Sequence, residues 1–265
     1  MERKTKAMMK GLHRWALAAF LAAYALLGAL LLGNLAPRGW YAWGTPVMTL
    51  FGMAAALFHA AGQVGWKRAV AFFALTFGVG LGMEVVGVRT GWVYGPYHYT
   101  SRLGPRFLGL VPYVIPLAWF MMAYPSWVIS RRVLAVLWRK TPPWAVAALG
   151  GVIMTAWDLV LDPLMVHYRH WVWEAPGGYF GVPLHNFLGW WLTVALALWA
   201  FEVLSRPPAL RETTAAPLRW AVLLYIFVGG SNLLAAWEAH LTGPLLAGGW
   251  AMLPWVVVGW GTTRR

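Results

Sequence analysis

Long apolar runs alternate with short polar connections along nearly the whole chain. After a basic start, Met1-Glu2-Arg3-Lys4-Thr5-Lys6, the first run covers residues 15–33. Others follow at about 45–64, 69–88, 111–130, 143–163, 185–204, 219–238 and 244–260. Each is near the length at which a helix crosses the ~30 Å hydrocarbon core of a bilayer. The first run has the charge order of a signal peptide but is too long for the usual apolar segment of one, so it reads as a retained span. The pattern predicts an all-α fold: a polytopic integral membrane helical bundle of about eight transmembrane helices, forming a single domain over residues 1–265. No soluble domain, low-complexity segment or clear internal repeat interrupts it.

The connections are unequal. Those on one side are short and Pro-rich, as in Arg206-Pro207-Pro208 and Thr141-Pro142-Pro143, whereas residues 89–110 and 164–184 form two long connections crowded with Gly, Pro, His and aromatic residues. Long loops inside a compact domain are usually functional. With both termini in the cytoplasm, 16 of the 21 Lys and Arg residues fall on the inner side, as the positive-inside rule requires. Only Arg38, Arg89, Arg102, Arg106 and Arg169 fall outside. The formal charge of +13 is therefore topological, and because it forms no continuous basic face it does not point to nucleic acid. The chain is 60% hydrophobic and 11% charged, which excludes an ordinary soluble domain. Cysteine is absent, which excludes disulfides, iron–sulfur clusters and thiol chemistry. The expected location is the prokaryotic inner membrane, as a multi-pass protein.

Against this background the acids stand out. Asp158 and Asp162 lie four residues apart on one face of the fifth run, and ionisable groups inside a membrane helix are costly enough to mark a site. Two carboxyls so close in an apolar setting cannot both ionise cheaply, so the pair is expected to share a proton and serve as acid and base. Pro163 disfavours helical geometry at the residue before it, which places Asp162 where the helix ends or kinks. The structural alternative has Asp158 bonded to a neighbouring helix and Asp162 in an Asx turn. Glu84 follows the glycine-spaced face Phe77-Gly78-Val79-Gly80-Leu81-Gly82-Met83. It either completes the aspartate site or pairs with Arg89.

The seven histidines, His13, His59, His98, His167, His170, His185 and His240, invite a metal reading. His167, His170 and Glu174 offer three ligand types, but no second histidine box appears, and no metal is expected. The Asp158/Asp162 spacing also suits Mg²⁺ and a diphosphate, yet Leu159, Val160 and Leu161 supply no further ligand. Much of the aromatic content is the interfacial belt of any membrane protein. Trp92, Tyr94, Tyr97, Tyr99, Trp157, Trp171, Trp173, Tyr179 and Phe180, however, fall beside the acids, where aromatic faces stabilise a cation.

Several of these segments, taken in order, carry a resemblance. They are Gly87-Val88-Arg89-Thr90-Gly91-Trp92-Val93-Tyr94-Gly95-Pro96-Tyr97-His98-Tyr99, Leu103-Gly104-Pro105, Val111-Pro112, Pro116-Leu117-Ala118-Trp119-Phe120-Met121-Met122, Ala156-Trp157-Asp158-Leu159-Val160-Leu161-Asp162-Pro163, Gly178-Tyr179-Phe180-Gly181-Val182-Pro183-Leu184, Asn186-Phe187 and Gly189-Trp190. Together they resemble the CruF-type carotenoid 1,2-hydratases of bacteria and haloarchaea, a group whose substrates include lycopene, γ-carotene and the precursor of bacterioruberin. The likeness covers about residues 80–190.

The resemblance implies a hydro-lyase of carotenoid biosynthesis that adds water across the terminal 1,2 (1′,2′) double bond of an acyclic end group, giving a tertiary alcohol. It implies no cofactor. The expected partners are a carotenoid drawn from the bilayer, membrane lipids and other enzymes of a carotenoid pathway. Joined to the residues above, it makes Asp158, Asp162 and Glu84 the candidate catalytic groups, with the acid of the pair left open. Trp92, Tyr94, Tyr97, Trp157, Tyr179, Phe180 and Asn186 are the candidate substrate-lining residues. Competing classes are a carotenoid- or polyprenoid-binding protein without catalysis, a metal-dependent polyprenyl-modifying enzyme, and a transporter that relays protons through its acids.

Overall fold

The computed structural model describes residues 40–138, 140–210 and 217–262, with a few isolated positions before residue 40. Most of the expected first span, 15–33, and the basic residues Arg139, Arg211, Arg264 and Arg265 lie outside the described residues. The other seven predicted runs are all helices: α1 (Trp40–Val64), α2 (Trp66–Thr90), α3 (Val114–Leu137), α4 (Pro143–His167), α5 (Leu184–Ser205), α6 (Arg219–Glu238) and α7 (Thr242–Thr262). Six of these are long and apolar enough to cross a membrane, so the molecule is a polytopic helical membrane protein. Residues Leu184, Leu188, Leu192 and Leu196 are exposed at every fourth position of α5, an apolar stripe of the kind that faces lipid.

Helix α3 is the exception to the hydropathy rule, and its position explains why. It packs against all six other helices, and every residue from Trp119 to Ser130 is buried. A helix enclosed by protein has no lipid to face, so it tolerates Tyr124, Ser126, Ser130 and the interior Pro125. Between α1 and α2 the chain reverses on the single residue Gly65, whose φ of 82° is readily adopted only by glycine.

The two long connections both emerge at one end of the bundle and are stitched together. Strand β1 (Tyr97–Tyr99) pairs antiparallel with the later strand β4 (Trp171–Trp173), aligning Tyr97 with Trp173 and Tyr99 with Trp171. Alternation decides the faces: Tyr97, Tyr99, Trp171 and Trp173 are buried, while His98 points away from the bundle. A second short ribbon joins β2 (Arg106–Phe107) to β3 (Val111–Pro112). The Trp173 indole donates to the Tyr94 carbonyl at 2.8 Å, and Thr100 Oγ1 donates to the Arg169 carbonyl at 2.7 Å. These strands modify the all-α expectation without changing the fold class. They form a roof.

Helix α4 is most informative at Pro163. Of the two expectations for Asp162, a helix end or a kink, the end does not form: the helix continues through Pro163 to His167. A proline removes the N–H that would bond the carbonyl four residues earlier, here Leu159. The Tyr179 hydroxyl replaces it, donating to the Leu159 carbonyl at 2.9 Å. The roof therefore repairs the helix that carries both aspartates.

Candidate functional site

Asp158 and Asp162 sit on one face of α4, with relative exposures of 0% and 1%. Facing them is Asn186 in the first turn of α5, 1% exposed, whose backbone N–H bonds the Pro183 carbonyl at 3.0 Å. Its side-chain amide donates to Asp158 Oδ2 at 3.3 Å and also to Asp162 Oδ2. One NH₂ group thus bridges both carboxyls. Among the described residues, buried Asp158 Oδ1 has no donor and the adjacent, likewise buried indole N–H of Trp157 has no acceptor.

Glu84 forms a second cluster on α2. Its carboxylate accepts from the Tyr97 hydroxyl, from the Tyr99 hydroxyl at 2.8 Å and from Trp119 Nε1 at 3.2 Å. No pairing with Arg89 occurs. Burial, and then the facing Glu84, push the Tyr97 and Tyr99 hydroxyls well above the ordinary tyrosine range, so both remain donors. Tyr94 lies between the clusters, close enough to feel all three carboxyls, with its hydroxyl 2.7 Å from Thr193 Oγ1. Its loop approaches α5 so closely that a Cβ on Gly189 would stand 2.2 Å from the Val93 carbonyl oxygen. Three indoles join the clusters. The Trp119 and Trp190 centroids are 4.4 Å apart, and Trp190 meets Trp157 edge-on at 5.9 Å.

Of the residues singled out from sequence, the structure gathers Asp158, Asp162, Glu84, Tyr94, Tyr97, Trp157 and Asn186 at one end of the bundle. Asn186 bonds the acids rather than standing apart as a lining residue, and Tyr179 is committed to the α4 backbone. Trp92 is 85% exposed, and Phe180 lies over Gly243 at the start of α7. Neither joins the acids. Among the described residues no three His, Asp or Glu side chains converge as a metal-ligand set. Sequence reasoning did not single out Trp119, Trp190 or Thr193 as site residues. A signal for Trp119 was present: Gly80 shares the face of α2 that carries Glu84, and a Cβ there would stand 2.8 Å from the Trp119 ring.

The architecture and this arrangement define a polytopic membrane protein that encloses an acidic, aromatic-walled site beneath a roof of loops. Residues 44–253 match the family described as "Carotenoid biosynthesis protein", and the chain belongs to that family. It is also similar to the bisanhydrobacterioruberin hydratase of Haloarcula japonica, with 35% identity over 136 residues. That match covers 51% of this chain, and the chain spans less than half (45%) of the relative's length. No solved structure matches the chain.

Proposed function

We propose that the protein is a carotenoid hydratase of the cell membrane, adding water across the terminal 1,2 double bond of an acyclic carotenoid end group. The observation that carries this reading is the buried Asp158–Asp162 pair bridged by Asn186 and bordered by indoles. Family membership and the relative's printed activity support the substrate class. Hydrating a trisubstituted alkene takes a proton donor, a base for water, and a dry wall that tolerates a tertiary cation. The pair supplies the first two.

Hydrogen bonding divides the roles. The Asn186 amide donates to both acids, but its bond to Asp158 is long, at 3.3 Å, and Asp158 Oδ1 has no donor among the described residues. Donors stabilise the anion, so Asp162 carries the charge and Asp158 the proton. Asp158 transfers that proton to C2, the alkene electron pair forms the new C–H bond, and the charge falls on tertiary C1. Water then attacks C1 through oxygen and releases a proton to Asp162. Transfer of that proton from Asp162 to Asp158 restores the starting state, with one water added and no electrons transferred.

The test is to express the chain in cells that accumulate lycopene. The expected product has gained the mass of one water, with its oxygen drawn from labelled water. Asp158→Asn and Asp162→Asn should each lower the rate by about 10²–10⁴-fold while the protein remains inserted and monodisperse in detergent. Oxygen drawn from O₂, or full activity in both variants, would remove the proposal.

A further inference from the structure

Glu84 is the third buried acid of the site, and its surroundings differ from those of the aspartates. Tyr97 and Tyr99 both donate to Oε2, and Trp119 donates to Oε1. Three fixed donors satisfy a buried carboxylate and leave little of it to bind water. The same contacts hold the Trp119 indole by its nitrogen, while Gly80 admits the ring against α2. Trp119 in turn lies tilted against Trp190 with 36° between the ring planes, and Trp190 meets Trp157, the residue before Asp158. A chain of contacts therefore runs from the Glu84 anion through three rings to the acid pair. Trp119 and Trp157 are each 3% exposed.

Resting on the hydratase reading, we infer that Trp190 and Trp157 present the surface that stabilises the tertiary cation, and that Glu84 and Trp119 are positioning residues holding that wall, not proton-transfer groups. The chemistry favours this division. A third carboxylate against the cation would add one more oxygen nucleophile to compete with water, whereas an indole face lowers its energy without offering an oxygen lone pair. An anion accepting the Trp119 N–H also raises the electron density of that ring, which lies against Trp190. The negative charge thus acts on the cation through the wall, out of bonding range.

The experiment uses the full chain in liposomes with lycopene, measuring kcat and KM separately for wild type, Trp190→Phe, Trp190→Leu, Trp190→Met and Glu84→Gln. Trp190→Phe keeps a π face and should stay within about fivefold of wild type. Trp190→Leu and Trp190→Met should each lower kcat roughly 30-fold, the factor that corresponds to about 2 kcal/mol of desolvated cation–π energy, with KM little changed. The Met variant guards against a packing failure specific to Leu. Glu84→Gln keeps an acceptor but loses the charge, and should slow kcat by roughly 10-fold without altering the pH dependence of the rate. Glu84→Gln as inactive as Asp158→Asn, or an unchanged kcat in the Trp190→Leu and Trp190→Met variants, would overturn the inference while leaving hydration standing. A wild-type chain that forms no hydrated product would overturn both.

Discussion

The bridging amide of Asn186 offers the sharpest perturbation of the site, because it removes hydrogen bonds without removing a charge. Asn186→Ala deletes the Nδ2 group that reaches Asp158 Oδ2 at 3.3 Å and Asp162 Oδ2. The backbone of this turn is held independently by the Asn186 N–H to Pro183 carbonyl bond, so α5 should still begin where it does. A hydrogen bond to a charged group contributes about 1.5–3 kcal/mol, and both bonds end on one carboxyl pair. Protonating carbon is uphill, and the step becomes harder when the carboxyl pair left behind is less well stabilised. If most of that energy is felt at the transition state, kcat should fall by roughly 10- to 150-fold. The assay is quantification of the hydrated product per mole of protein by liquid chromatography and mass spectrometry, with detergent gel filtration as the control for folding. A well-folded Asn186→Ala variant working at the wild-type rate would refute the idea that the amide organises the acids.

Two further outcomes test the fold around the site. At the opposite end of the bundle Glu202, 5% exposed, accepts from Trp127 Nε1 at 2.6 Å and pairs with Arg131 at 3.3 Å, while Arg131 also donates to the Pro208 carbonyl at 2.7 Å. Arg131→Met strands a buried carboxylate and should destabilise the protein by about 3–5 kcal/mol, with much of the loss recovered by adding Glu202→Gln, as read from thermal unfolding in detergent. In the roof, burial and then Arg102 lower His170 from 6.5 to about 4, and its Nδ1 is buried without a partner. A roof opened to solvent binds a proton at this residue from pH 6.5 downward, while the closed roof does not until about pH 4, so closure weakens as pH falls through that window and is unaffected above it. Amide-exchange protection in residues 97–99 and 171–173, taken relative to the intrinsic exchange rate at each pH, should fall on acidification in wild type, and His170→Gln should flatten the response; an identical response in both would remove the assignment.

How much of this was legible depended on the range of the interaction. Apolar runs of span length marked all seven described helices, because crossing hydrocarbon is a property of a segment and its own hydrogen bonds. The i, i+4 spacing of Asp158 and Asp162 placed both on one face, since helix geometry alone requires it. The long connections stand out by length and composition, and the alternation Tyr-His-Tyr against Trp-Val-Trp contains the ribbon that joins them. At Pro163 the sequence left a helix end or a kink open. The end does not form, and the carbonyl that the proline leaves without a donor, Leu159, is bonded by Tyr179, 20 residues beyond it.

What only the tertiary structure decided were the partnerships of the acids. Asn186 lies 24 residues from Asp162, and Trp119 lies 35 residues from Glu84. Trp92, in the same run of residues as Tyr94, is turned out while Tyr94 is buried. In a membrane every span is apolar, so hydrophobicity tells a helix to insert but not which neighbour to choose. That choice rests on close packing at small residues such as Gly80 and Gly189, and on buried polar groups finding donors. Sequence thus determined the helices and the acids they carry, whereas packing determined that one carboxyl pair shares an amide and the third holds an indole.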